Sequence, residues 1–230
     1  MNKTTNQYNE GNADNPSAFR GASKIHGLTL VELLIVVVII AILFGLIIPA
    51  GRDHGRAKQM ACESNLKQIG IAFRTWDGDY NNLYPMGYFT NQDGTKKSEF
   101  TANPYRYFQV MSNELYNPKV LICPSDDRMF ATDFEHMSNN NASYFVGLDA
   151  DETRPTLLLS GDRNLVTNGV DVLPGVVVIR TNDAVAWSTK MHNQTGDFGL
   201  ADGSVQRGSG GSLQSYLIHT GTNMTRLAVP

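Results

Sequence analysis

The sequence predicts an α+β protein: a long N-terminal α-helix, membrane-spanning in its first half, that carries a small globular domain built on an antiparallel β-sheet. Three observations point to this class. Residues 28–50, LTLVELLIVVVIIAILFGLIIPA, are apolar over nearly their whole length. Beyond them, apolar residues recur at helical spacing as far as Trp76. From residue 86 onward, short apolar runs are cut by Gly, Pro, Asn and Asp, the pattern of strands and turns.

A chain of 230 residues with 41% hydrophobic and 18% charged content suits one globular domain plus an appendage. Its formal net charge of -3 leaves no general basic footprint, so nucleic acid is not an expected partner. The layout read from composition is 1–27, a polar stretch; 28–50, the apolar helix; 51–77, its outer half; and 78–230, the globular domain.

Residues 1–26 are polar, rich in Asn, Ser and Gly, without apolar periodicity, and read as disordered. The apolar run then reaches about 34 Å as a helix, enough for a bilayer core of about 30 Å. The stretch from Leu33 to Ile48 has no polar side chain, which argues against an ordinary core helix. A secretory signal would have a shorter apolar core and an A-x-A-like exit, and neither occurs here. Basic residues on the two sides, Lys3, Arg20 and Lys24 against Arg52, Arg56 and Lys58, leave orientation open. Gly45, Pro49, Gly51 and Gly55 weaken the helix near its end.

In RAKQMACESNLKQIGIAFRTW, residues Cys62, Leu66, Ile69, Phe73 and Trp76 fall on one stripe opposite Glu63, Ser64, Lys67, Gln68 and Arg74. That stripe is expected to pack on the chain's own globular domain. DGDYNNLYP, 77–85, ends the helix. It fails as a calcium loop, because Asn82 stands where glycine is needed and Tyr88 where the bidentate glutamate belongs. FQVMSNEL, 108–115, reads as a short helix and VLIC, 120–123, as a strand. SYFVGL, 143–148, TLLLSG, 156–161, GVVVIR, 175–180, and FGLADGSVQ, 198–206, read as strands and turns, with Asp202-Gly203 as a type I′ hairpin. Cys62 and Cys123 are too few and too far apart for a zinc motif. They are either one disulfide tying the helix to the domain, outside the cytoplasm, or two buried thiols.

Gly27-Leu28-Thr29-Leu30-Val31-Glu32, followed by the apolar run, resembles the signal of type IV prepilins and type II secretion pseudopilins. The resemblance implies cleavage by a prepilin peptidase between Gly27 and Leu28, and N-methylation of Leu28. Leu28 departs from the phenylalanine common at that place, and Pro49 falls where these helices usually carry proline. The freed amine of Leu28 would be cationic. Glu32, one turn along the same face, becomes a candidate partner for the amine of a neighbouring subunit during assembly.

His192, then NQTGDFGLA, then Asp202-Gly203 is similar to the H-x9-DG signature of a prepilin-like family of planctomycete and verrucomicrobial type. CESNLKQIGIAFRTWDGDYNNLYPM, LICPSDD and SYFVGLDADETRPTLLLSGDRN resemble the same family. His192, Asp202 and Gly203 are expected to be structural, with GDRN as loop chemistry. A metal site from His192, Asp197 and Asp202 has no recognised spacing, so no metal and no cofactor is expected. No hydrolase, nucleotide-binding or zincin motif occurs, so no catalytic residue is assigned.

The implied function is a non-enzymatic, pilin-like subunit processed after Gly27 and assembled by its helix into a type II secretion pseudopilus or a type IV pilus-like filament. Its partners would be prepilin peptidase, other pilin or pseudopilin subunits and the inner membrane, crossed once, with the C-terminal domain in the periplasm or at the cell surface. The alternative is a membrane-tethered extracytoplasmic binding module that is processed but does not polymerise.

Overall fold

Both the apolar run and the striped run fold as helices. A computed structural model of the protein describes residues 27–47, 54–89 and 103–230. The chain divides into two compact units, Met1–Gly51 and Arg52–Pro230. The polar leader through His26 and the assembly proline Pro49 lie outside the described residues.

In the first unit, helix α1 (Leu30–Ile47) is apolar on every side after its first turn, and its side chains through Phe44 are exposed. Among the described residues no helix is long and apolar enough to cross a membrane. The span expected over 28–50 is thus described only as far as Ile47, and 18 residues at about 1.5 Å each give about 27 Å, short of a bilayer core of about 30 Å.

The second unit begins with α2 (His54–Asp79). The five stripe residues are all buried, as their spacing requires, while Lys67 and Glu63 pair at 2.7 Å on the opposite face. The helix stops where Asn81 and Asn82, both at φ 57, turn left-handed. Among the described residues three short helices follow: α3 (Pro85–Tyr88), α4 (Tyr105–Val110) and α5 (Ser112–Leu115). The run 108–115 is therefore two helices that break at Met111. Where VLIC suggested a strand, Pro118–Leu121 forms a 3-10 turn, because Asn117 caps it through Lys119 N and Pro118 presets its first residue.

The strands are β1 (Tyr144–Gly147), β2 (Leu158–Asp162), β3 (Leu165–Thr167), β4 (Val170–Asp171), β5 (Gly175–Arg180), β6 (Val185–Trp187), β7 (Thr195–Leu200), β8 (Val205–Ser209) and β9 (Met224–Val229). They form a six-stranded sheet, β5-β9-β1-β2-β7-β8, and a three-stranded sheet, β4-β3-β6. Every pairing is antiparallel, and the protein is α+β as expected. Between β8 and β9 lies α6 (Gly210–His219).

Alternation along the strands divides the core in two. Tyr144, Val146, Leu159 and Ala228 join the cluster that holds the α2 stripe, Phe108 and Leu121. Phe145, Leu158, Leu227 and Val229 join the other, with Trp187, Leu213 and Leu217. The central strands β1, β2 and β7 are buried on both faces, while the edge strands β5 and β8 are largely exposed.

Neither α6 nor β9 stands out in the sequence. At the start of α6, a Cβ on Gly210 would meet Ala186 Cα at 2.9 Å. That glycine allows the helix to close on β6.

Cys62 on α2 and Cys123 after the 3-10 turn form a disulfide, with Cα atoms 4.9 Å apart. Two thiols are therefore not the state of the molecule. With a sequence separation of 61, the Cys62→Ala, Cys123→Ala double variant should lose about 4 kcal/mol of stability by the chain-entropy model, read as a lower urea midpoint with a steeper slope, because the uncrosslinked unfolded chain exposes more surface.

Candidate functional site

The N-terminal segment is set by a reciprocal cap. Thr29 donates to Glu32 Oε2 from its backbone N–H at 2.9 Å and from its hydroxyl at 2.8 Å, and Glu32 N–H donates back to Thr29 Oγ1 at 3.3 Å. This is a capping box: threonine and glutamate three apart satisfy donors that the first turn would otherwise leave free. The T-x-x-E pattern that signals it is present in the sequence, though Glu32 was read there chiefly as an assembly residue. Leu28, the expected methylation site, is 70% exposed.

The C-terminal motif separates into two places. Asp202 and Gly203 lie in the β7–β8 turn: Asp202 Oδ1 accepts Ser204 N–H at 2.8 Å, and the Asp202 carbonyl accepts from Arg74 Nη1 on α2 at 3.2 Å. The hairpin forms as expected, but its turn is not the expected type I′. Only Gly203 (φ +84) is left-handed, whereas a type I′ turn needs two such residues. Gly203 N–H donates to Leu200 O, so the turn closes on the glycine. That glycine passes the α2 backbone so closely that a Cβ on Gly70 would lie 3.4 Å from Gly203 Cα. The buried hydroxyl of Tyr84 donates to Ala201 O at 2.6 Å, a second clamp on this turn. The Asp-Gly pair thus joins hairpin to helix.

His192 sits elsewhere, in the turn before β7, with its side chain 3% exposed. Its Nε2 lies 3.2 Å from the disulfide sulfur of Cys123 and 3.5 Å from Asp162 Oδ2. Asp162, in the GDRN run that read as a loop, ends β2 and is fully buried. Its Oδ2 accepts Asp197 N–H from β7 at 2.8 Å. Asp197, also fully buried, is approached by Arg207 Nε at 3.3 Å.

These surroundings act against charge. Burial pushes Asp162 well above the usual carboxylate range, the Asp197 amide opposes the rise, and the Asp197 and Asp126 carboxylates add to it. Burial likewise lifts Asp197 to about 6, against the pull of Arg207 and the nearby Gln59 amide. Burial first, then the charge of Arg207, lowers His192 and keeps the ring neutral. One ligand atom each from Asp162, His192 and Asp197 lies within 4.8 Å of the other two, and Cys62, Cys123 and His192 satisfy the same measure. The cysteine set has no thiolates while the disulfide is closed.

Beside this cluster Arg163 grips Asp126 with both arms, Nε to Oδ2 at 2.8 Å and Nη2 to Oδ1 at 2.6 Å. Burial alone would raise Asp126, but the hydrogen bonds from Arg163, then those of Ser143 and Asp127, bring it down to about 2.

Residues 22–48 match the family model of the prokaryotic N-terminal methylation motif. The match supports a type IV pilin-like signal, and with it a prepilin-type processed, pilin-like protein that implies a prepilin peptidase. No curated protein and no solved structure matches the chain.

The Asp126 pair carries a pH signature. Its folded value, about 2, lies below the ordinary 3.8, so its contribution is complete above the ordinary value and disappears as pH falls through the folded one. Arg163→Met should cost about 3 to 5 kcal/mol at neutral pH by leaving Asp126 buried and unpaired. Without Arg163, burial holds Asp126 above its ordinary value, so urea unfolding of both proteins should show the gap beginning to narrow above pH about 4 and closing as pH falls toward about 2.

Proposed function

We propose that the protein is a non-enzymatic filament subunit, held in the inner membrane by a single span over residues 28–50 and processed after Gly27 by prepilin peptidase. It then packs by its N-terminal helix with other pilin or pseudopilin subunits. The single observation that carries this reading is helix α1 itself, apolar on every side and exposed, directly behind a prepilin-type signal. A helix of that kind needs an apolar environment on all faces, which lipid supplies before assembly and neighbouring helices supply after it. A disulfide between α2 and the loop at Cys123 fits a domain in the periplasm or at the cell surface. The H-x9-DG resemblance is consistent with the same role, since Asp202 and Gly203 act as a clamp between hairpin and helix. Burial of the His192 ring speaks for a structural histidine rather than a catalytic one.

One observation favours the second reading, a processed module that stays tethered and does not polymerise. The Glu32 carboxylate is already satisfied by Thr29 of its own chain and does not require a neighbour's amine.

Two experiments decide. Intact-mass spectrometry of the mature protein should show a chain beginning at methylated Leu28, and an intact Met1 would overturn the processing claim. Glu32→Gln keeps the capping box but removes the charge, so cleavage should persist while sedimentable filaments disappear. Filaments at the wild-type level in this variant would show that Glu32 serves the cap alone.

A further inference from the structure

Two fully buried carboxylates, one at the end of β2 and one in β7, lack partners on one oxygen each. Asp162 Oδ1 and Asp197 Oδ2 have no hydrogen bond among the described residues. Among the described residues the only basic side chain within 4 Å of Asp162 is the His192 ring, 3.5 Å from Oδ2. Arg207 reaches Asp197 only at 3.3 Å and is itself 41% exposed. Buried anions left this way are costly, and a native fold supplies them with a proton, a water or a cation.

We propose that Asp162, His192 and Asp197 hold a divalent transition-metal ion of the zinc class, pinning the His192 turn to the sheet beside the disulfide. The three donor atoms lie within 4.8 Å of one another, so a modest contraction brings all of them onto one ion. One imidazole and two carboxylates form a donor set that suits zinc. Calcium takes about six to eight oxygens, and magnesium keeps several of its waters, so neither suits an enclosed site with a nitrogen ligand. The ion would take the Nε2 lone pair, the ring atom already nearest Asp162. The second donor set, Cys62, Cys123 and His192, shares this histidine and would require the disulfide to open. Three protein ligands leave the fourth position of a tetrahedral ion to a water, and the burial of all three side chains keeps a substrate from that position, so the site is structural and joins a turn to two strands.

The full chain, purified in detergent without chelator, should carry about one zinc ion per molecule by elemental analysis. Its thermal midpoint should fall after treatment with dipicolinate and recover with added zinc. Asp162→Asn and His192→Gln should each reduce bound metal to background, while Asp202→Asn, in the separate turn, should leave it unchanged. Zinc-edge absorption should show only nitrogen and oxygen neighbours near about 2.0 to 2.2 Å, without the sulfur shell near about 2.3 Å that an opened disulfide would give. A sulfur shell would assign the metal to the cysteine set and overturn the proposal. So would wild-type protein with metal at background and a midpoint unmoved by zinc or manganese, which would leave the carboxyls sharing a proton. The wild-type measurements stand even if a variant fails to fold.

Discussion

The C-terminal unit depends on a single constraint: the central strands of its six-stranded sheet carry buried side chains on both faces, so both must be covered. Helix α2 covers one with the stripe from Cys62 to Trp76, while α6 and the three-stranded sheet cover the other. Burying residues such as Phe73, Tyr144 and Leu66 is the main stabilising term, each fully buried apolar side chain being worth roughly 1.5 to 3 kcal/mol. Aromatic edges reinforce it where Phe73 meets Tyr84 and Phe108 at 5.7 and 6.4 Å. The strand closest to the C-terminus, β9, sits between β5 and β1 inside this sheet, so the last residues of the chain are part of its core.

The helix–sheet packing also dictates where polar groups are forced inside. Because side chains alternate, Phe198 and Leu200 point to one core and Asp197 to the other face. Asp162 lies opposite Tyr144 in register and shares that face. Two carboxylates therefore meet under α2, next to the disulfide that ties α2 to the loop at Cys123 and to the histidine before β7. The same geometry turns the Asp-Gly hairpin toward α2, where the absence of side chains at Gly70 and Gly203 lets the two backbones pass. The N-terminal unit obeys the opposite rule. Helix α1 has no polar face to choose, and its single carboxylate is used within its own first turn.

Much of this was legible one-dimensionally. The α2 stripe followed from spacings of three and four, and the runs around Tyr144, Leu158, Val176 and Phe198 declared themselves as strands by composition and by the turn residues between them. VLIC lost its strand character to its immediate predecessors Asn117 and Pro118, a local cap that outweighed composition. The glycines opening α6 concealed a helix that packs against the distant β6. Asp162 read as a loop aspartate because nothing in GDRN reveals that its strand runs between two others. The H-x9-DG spacing grouped His192 with Asp202, whereas the fold places His192 beside Asp162 and the disulfide.

By itself the sequence determined what depends on neighbours along the chain: the apolar helix, its threonine–glutamate cap, the processing signal, the amphipathic stripe, and the α+β class. These are periodicities and short-range hydrogen bonds, and they survive without knowledge of what lies across the core. Tertiary structure alone decided which cysteine state is adopted, how nine strands are ordered, which face each carboxylate takes, and that His192 keeps company with Asp162. Those outcomes follow from strand register and helix docking, where a shift of one residue would exchange the two faces of a strand and disperse the cluster.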